Sequence, residues 1–346
     1  MSLSPKAAGV VRGLVIVLLA GMAAGVLYVA LSGPLEPADV ARGVIAGALI
    51  FVPIYLFDVA AANAGWGKRL RQRPFLVAIG LRTLVYLVFI VVGLLVAAFA
   101  TGVPLSDATG ILGGTHIAFA FLVAFVFSTI RQLSRMLGPS VLTSFVTGRY
   151  HRPRLEERVF LFMDLVDSTT TAERLGPLRF HALLDRIAFD VADAIATYHG
   201  EIHRYVGDEI IVTWMADKGL RDAACIRAAF SMVSGVDRRA SRYLGDFGVK
   251  PAFHIAMHVG PVVVGEMGDL HREIVFLGDT VNTTARIEAA SGAMGRSVLV
   301  SQELMDRLGT IPAEVAMESI GSIALRGKQD PIPLVSLTWR PAERPS

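Results

Sequence analysis

Residues 158–176 read RVFLFMDLVDSTTTAERLG. Val159 to Met163 form a short apolar run of strand length. The run ends on an acid, Asp164, and a second acid, Asp167, follows within a turn. Ser168, Thr169, Thr170 and Thr171 then open a helical pattern, for which Asp167 and Ser168 are the expected caps. A strand–loop–helix junction of this kind aims carboxylates and free backbone N–H groups at one point. A metal-bound phosphate needs that arrangement.

On the N-terminal side of this stretch the chain is membrane-like. Of 346 residues, 53% are hydrophobic, more than an ordinary soluble protein carries. The excess sits in the first third, in four apolar runs at about 10–31, 40–64, 75–100 and 111–130. The first is too long and too poor in cleavage signals for a simple signal peptide. The connector between runs two and three, GWGKRLRQRP, carries four basic residues, whereas the other connectors hold Glu36, Asp39, Arg42 and Asp107. Excess Lys and Arg belong on the cytoplasmic side, which places the N terminus and everything after residue 130 inside. Asp58 and Arg82 lie at matching depth and are expected to pair. His116, near the outer end of span four, reads as interfacial. The expected division is a transmembrane part over 1–131, a basic connector over 132–157 and a soluble domain over 158–340.

A net charge of +3 is too small to suggest a nucleic-acid partner. The single cysteine, Cys225, excludes an intrachain disulfide and reads as a core residue.

Downstream of the opening strand, 176–198 has a helical period. Two strand-like runs then meet at Gly207–Asp208 in EIHRYVGDEIIVTWM. A helix is expected over 219–244, then two strands around Gly260–Pro261. REIVFLGDTVNTTARIEAASG reads as strand, turn and helix. If the strands carrying Asp164 and Asp208 are neighbours, both carboxylates converge on one sheet edge, a geometry that can hold one or two Mg²⁺ ions. Asn282 and Arg286 stand four apart on one helix face. Arg suits a transferring phosphoryl group and Asn can orient a ribose.

FLFMDLVDST, RYVGDEIIV and FLGDTVNTTARIE, in this order and spacing, resemble the catalytic domain of class III nucleotidyl cyclases. The resemblance covers roughly 158–337, and GRYHRPRLEERVFLF is similar to the approach in bacterial membrane-bound members. It implies a four-helix transmembrane bundle followed by an α+β, ferredoxin-like catalytic domain. The domain would work as an antiparallel homodimer in a bacterial inner membrane. It implies two Mg²⁺ (or Mn²⁺) per site on Asp164 and Asp208, with Asn282 and Arg286 supplied by the other subunit. Ser168 and Thr169 would lie near the phosphates. Arg326, with Lys328 as a close substitute, falls where the family often has a phosphate-binding Lys. The substrate implied is ATP, converted to 3′,5′-cyclic AMP and pyrophosphate.

The base-reading positions depart from the family pattern. Arg204 stands where many adenylyl cyclases have Lys, and Val275 where they have Asp or Thr. Val cannot accept from the adenine amino group. Two further readings stay open: a cyclase using GTP or another nucleotide, and a membrane receptor whose cyclase-like domain binds nucleotide but turns over little. An unidentified ligand or membrane protein at the bundle is a further expected partner.

Overall fold

The computed structural model describes residues 5–63, 75–102, 113–270, 272–324 and 330–340. The chain forms two compact units, Met1–Leu137 and Gly138–Ser346.

In the first unit, helices α1 (Pro5–Ser32), α2 (Pro37–Asn63), α3 (Phe75–Ala100) and α4 (Gly114–Leu137) are each long and apolar enough to cross a membrane. Each sits on one of the expected spans, but α4 runs further, to Leu137. Nothing between 131 and 137 breaks a helix, and the first stop is Gly138–Pro139. α1 and α2 approach closely through Gly21 and Gly25 on one helix and Gly43 and Gly47 on the other. A Cβ on Gly25 would overlap the Gly43 carbonyl. Small residues allow this contact, which supplies packing where lipid offers no hydrophobic drive. Asp58 and Arg82 are both buried. The Tyr86 hydroxyl donates to Asp58 Oδ1 at 2.9 Å, and Arg82 Nη1 donates to Gln132 Oε1 at 3.1 Å. The His116 ring packs against Tyr28 at 4.8 Å between centroids, beside a cavity of about 360 Å³ that Arg42 and Phe119 also line.

The second unit opens with a short helix, α5 (Pro139–Thr147), and then β1 (Arg154–Leu165). The strand is longer than its apolar core because its first residues pair with β4 (Phe253–Met267). β1 is central, flanked by β3 (Glu209–Met215) and β4, both antiparallel. The sheet runs β2 (Glu201–Val206), β3, β1, β4, β6 (Val298–Ser301), β8 (Ile332–Trp339), β7 (Val315–Ile323), with β5 (Glu273–Leu277) paired to β4.

Side chains alternate across β1. Val159, Leu161, Met163 and Leu165 enter the main core with Leu183, Ile187 and Val191 of α7 (Pro177–Thr197). Ile226 and Met232 of α9 (Ala224–Asp237) complete that side, and Cys225 lies fully buried there as expected. Burial pushes its thiol up to about 12. Phe160 and Phe162 face the other way, against Tyr150, Ile211, Val262 and Val264. Burial on both faces explains why β1 reads as a continuous apolar run.

Three local expectations give way. The segment 253–267 is one strand, not two around a turn. Pro261 fits because β4 at 258–262 has a strand neighbour on one side only; β6 pairs 255–257 and β5 pairs 263–267. The expected helix over 219–244 is broken into α8 (Ala216–Leu220), α9 and α10 (Ala240–Phe247). Asp222 and Ala223 take φ 51° between the first two, and buried Ala223 is held in that left-handed turn by packing. Asp167 occupies the N-cap position of α6 (Ser168–Leu175), but at φ 54°, and its side chain makes no cap hydrogen bond.

Candidate active site

Asp164 lies at the end of β1, one residue beyond the Met163–Ile210 pair with β3. Asp208 lies in the β2–β3 turn beside Gly207, whose φ of 63° suits glycine. The ladder therefore brings the two acids to one sheet edge. Two further carboxylates join them: Glu209, at the start of β3, and Glu288 of α11 (Asp279–Met294). Burial, then the neighbouring Asp208 and Glu288, pushes the Asp164 carboxyl up to about 6. Burial, then Glu288, Asp164 and Asp208, pushes Glu209 up to about 7. Burial and Asp208 also raise Glu288, against the opposing effect of His254. Asp208 Oδ2 is buried with no hydrogen-bond partner among the described residues. A buried carboxylate oxygen without a donor, packed against another carboxylate, is an arrangement that a hard cation completes. Two carboxylates do not fill a magnesium shell. Such ions take one or two protein carboxylates and complete themselves with water and substrate phosphates.

Asn282 and Arg286 sit on α11, the first exposed and the second half-buried. The helix is seated by Thr280, whose hydroxyl donates to the Pro261 carbonyl at 2.8 Å. From this helix it is Glu288 whose charge reaches Asp164 and Glu209. Ser168 and Thr169 occupy the first turn of α6, next to Asp164 in the chain. Arg204 of β2 is ion-paired with Glu273 of β5. Val275 pairs with Gly265 of β4. Phe276 anchors β5 from its other side, with Phe160 at 5.5 Å, His203 at 4.7 Å and the Arg158 guanidinium at 4.8 Å. Burial, then the charges of Arg204 and Arg158, brings His203 down to about 4, so the ring is neutral at pH 7. Arg326 and Lys328 lie outside the described residues.

Sequence reasoning passed over Glu209, Glu288 and Glu273. Glu209 directly follows Asp208, but nothing in the sequence marks it as half-buried. Glu273 is two residues before Val275, on the same side of β5, and this could have drawn attention to it.

The family model for the adenylate and guanylate cyclase catalytic domain matches residues 151–335. The chain belongs to this class III cyclase family. Among curated relatives, the chain is 40% identical over 209 residues to adenylate cyclase 2 of Rhizobium meliloti (strain 1021), covering 60% of this chain and 57% of that protein. It is also 31% identical over 206 residues to retinal guanylyl cyclase 2 of Bos taurus, covering 58% of this chain and 18% of that one. The chain thus spans just over half of the first relative and under a fifth of the second. A solved structure of a bacterial light-regulated adenylyl cyclase shares the fold, with a TM-score of 0.53, 20% identity and 62% coverage of both chains.

Proposed function

We propose that this cyclase is a membrane-bound adenylate cyclase, converting ATP to 3′,5′-cyclic AMP and pyrophosphate at the interface of a homodimer. The observation that carries the reading is the convergence of Asp164 and Asp208 on one sheet edge, with Asp208 Oδ2 buried and lacking a donor among the described residues. In this proposal these two aspartates hold two Mg²⁺ (or Mn²⁺) ions. When bound, the ions supply charge neutralisation at the triphosphate and acidify the attacking hydroxyl. Asn282 of the other protomer orients the ribose so that its 3′-hydroxyl faces the α-phosphate in line with the departing pyrophosphate. Arg286 donates to the phosphoryl oxygens, where negative charge gathers as the new P–O bond forms. Ser168 and Thr169 line the phosphates from the first turn of α6, whose N–H groups face anions favourably. Arg326, or Lys328 as its close substitute, is the expected phosphate-binding residue of the family pattern, outside the described residues.

The four apolar helices anchor the enzyme in the bacterial inner membrane, with the N terminus and catalytic unit cytoplasmic, as the basic 65–74 connector indicates. The bundle receives an unidentified ligand or membrane protein. The resemblance to guanylyl cyclases supports a second reading with GTP as substrate. Incubating the purified full chain with each of the four nucleoside triphosphates and Mg²⁺ or Mn²⁺ separates the readings. Cyclic AMP from ATP is expected; cyclic GMP alone would establish the second reading, and no cyclic product from any triphosphate would sink both.

A further inference from the structure

We infer that Glu273, paired with Arg204, reads the base, supplying the acceptor for the 6-amino group of adenine that Val275 cannot supply. The inference rests on the reading of the site as an ATP cyclase and names a base-specificity residue within it. Three observations carry it. First, Arg204 and Glu273 come from different strands, β2 and β5, and meet as an ion pair with 47% and 43% of their side chains exposed. The pair is presented at the surface of the domain, and an exposed pair of this kind adds little to folding. Secondly, Glu273 and Val275 are two apart on β5 and so lie on the same side of it. The carboxylate therefore stands one strand step from the position where an acceptor is missing. Thirdly, β5 is held from its opposite side by Phe276, packed on Phe160, His203 and Arg158. It then passes directly through Leu277 and Gly278 into α11, which carries Asn282. A base reader on β5 and a ribose-placing residue on α11 are thus parts of one anchored strand–helix unit.

The chemistry matches. An adenine edge presents a ring-nitrogen acceptor beside an amino donor. A guanidinium donates and a carboxylate accepts, and the carboxylate has lone pairs enough to serve Arg204 and the amino group together. Val275 then gives an apolar contact beside the ring.

The test uses the full chain in detergent micelles with Mg²⁺ and two unreactive probes. One is 3′-deoxy-ATP; the other is the 3′-deoxy triphosphate of purine riboside, which lacks the 6-amino group. Both carry the same ribose and phosphates, so their affinity ratio reports the amino group alone. The wild-type chain is expected to bind 3′-deoxy-ATP tighter by about tenfold or more. Glu273→Ala should bring the ratio to within about twofold, and Glu273→Met, which retains bulk without an acceptor, should do the same. An unchanged ratio in both variants overturns the inference, as does a wild-type chain that binds the two probes equally. Because neither probe reacts, absence of cyclic product from natural nucleotides counts against the cyclase reading alone.

Discussion

Asp208 has a carboxylate oxygen that is buried without a hydrogen-bond donor among the described residues, and Asp164 stands beside it. Burial, and after it the neighbouring carboxylates, raises proton affinity, so Asp164 is pushed up to about 6 in the fold against 3.8 when unperturbed, and Glu209 to about 7 against 4.5. The folded chain therefore binds these protons more tightly than the unfolded chain. Their contribution to stability is full below the unfolded values and is lost as pH rises through 6 to 7. In thermal unfolding without divalent metal, the midpoint of the catalytic unit should fall over that window. Mg²⁺ or Mn²⁺ should raise it more at pH 8 than at pH 5, and Asp208→Asn should flatten both effects. A metal response indifferent to pH and to Asp208 would speak against the metal assignment. Turnover makes the same point: Asp208→Ala should leave under about 1% of wild-type activity in a chain that still dimerises. At this scale the sequence showed Asp164 and Asp208, because each follows or precedes a recognisable apolar run. It did not show Glu209 or Glu288, because their role comes from burial and from helix-to-sheet packing.

β4 and α11 together place Asn282 and Arg286. Gly260 of β4 lies under the helix, and a Cβ there would come within 2.6 Å of the Thr280 hydroxyl. That hydroxyl holds the first turn of α11 to the Pro261 carbonyl. Gly260→Val should therefore shift the helix start, costing about 1–3 kcal/mol of stability and reducing kcat by about tenfold or more. A variant with wild-type kcat would show that the seat of α11 does not govern the site. These two elements also mark where local sequence signals fail. Gly260–Pro261 looks like a turn, but the gap between β6 and β5 lets proline stay inside a strand. The break at Asp222–Ala223 carries no glycine or proline; the buried surroundings of Ala223 and the Arg227 Nε hydrogen bond to the Asp222 carbonyl hold it. By contrast the β2–β3 hairpin was legible, since its turn has the glycine that its positive φ demands.

The whole chain joins a unit with four long apolar helices among the described residues to a class III cyclase domain, and those helices were visible because length and composition alone define them. The catalytic unit begins before its first strand: Tyr150 is buried, and its hydroxyl donates to Glu156 at 3.1 Å. A chain starting at Gly138 keeps this contact. If the bundle helps to bring two copies together, that shortened chain should dimerise more weakly and work more slowly than the full one, as sedimentation and product assays would show. Equal behaviour would show that the bundle does not help to bring two copies together. The proposed site is shared between two protomers, with Asp164 from one and Arg286 from the other. Its most direct test is product formation by a mixture of the Asp164→Ala and Arg286→Ala chains, each inactive alone, after co-expression and isolation of the heterodimer. Restored cyclic nucleotide synthesis is expected, at about half the wild-type rate per dimer because one of the two interface sites is intact. A heterodimer as inactive as either parent would contradict it.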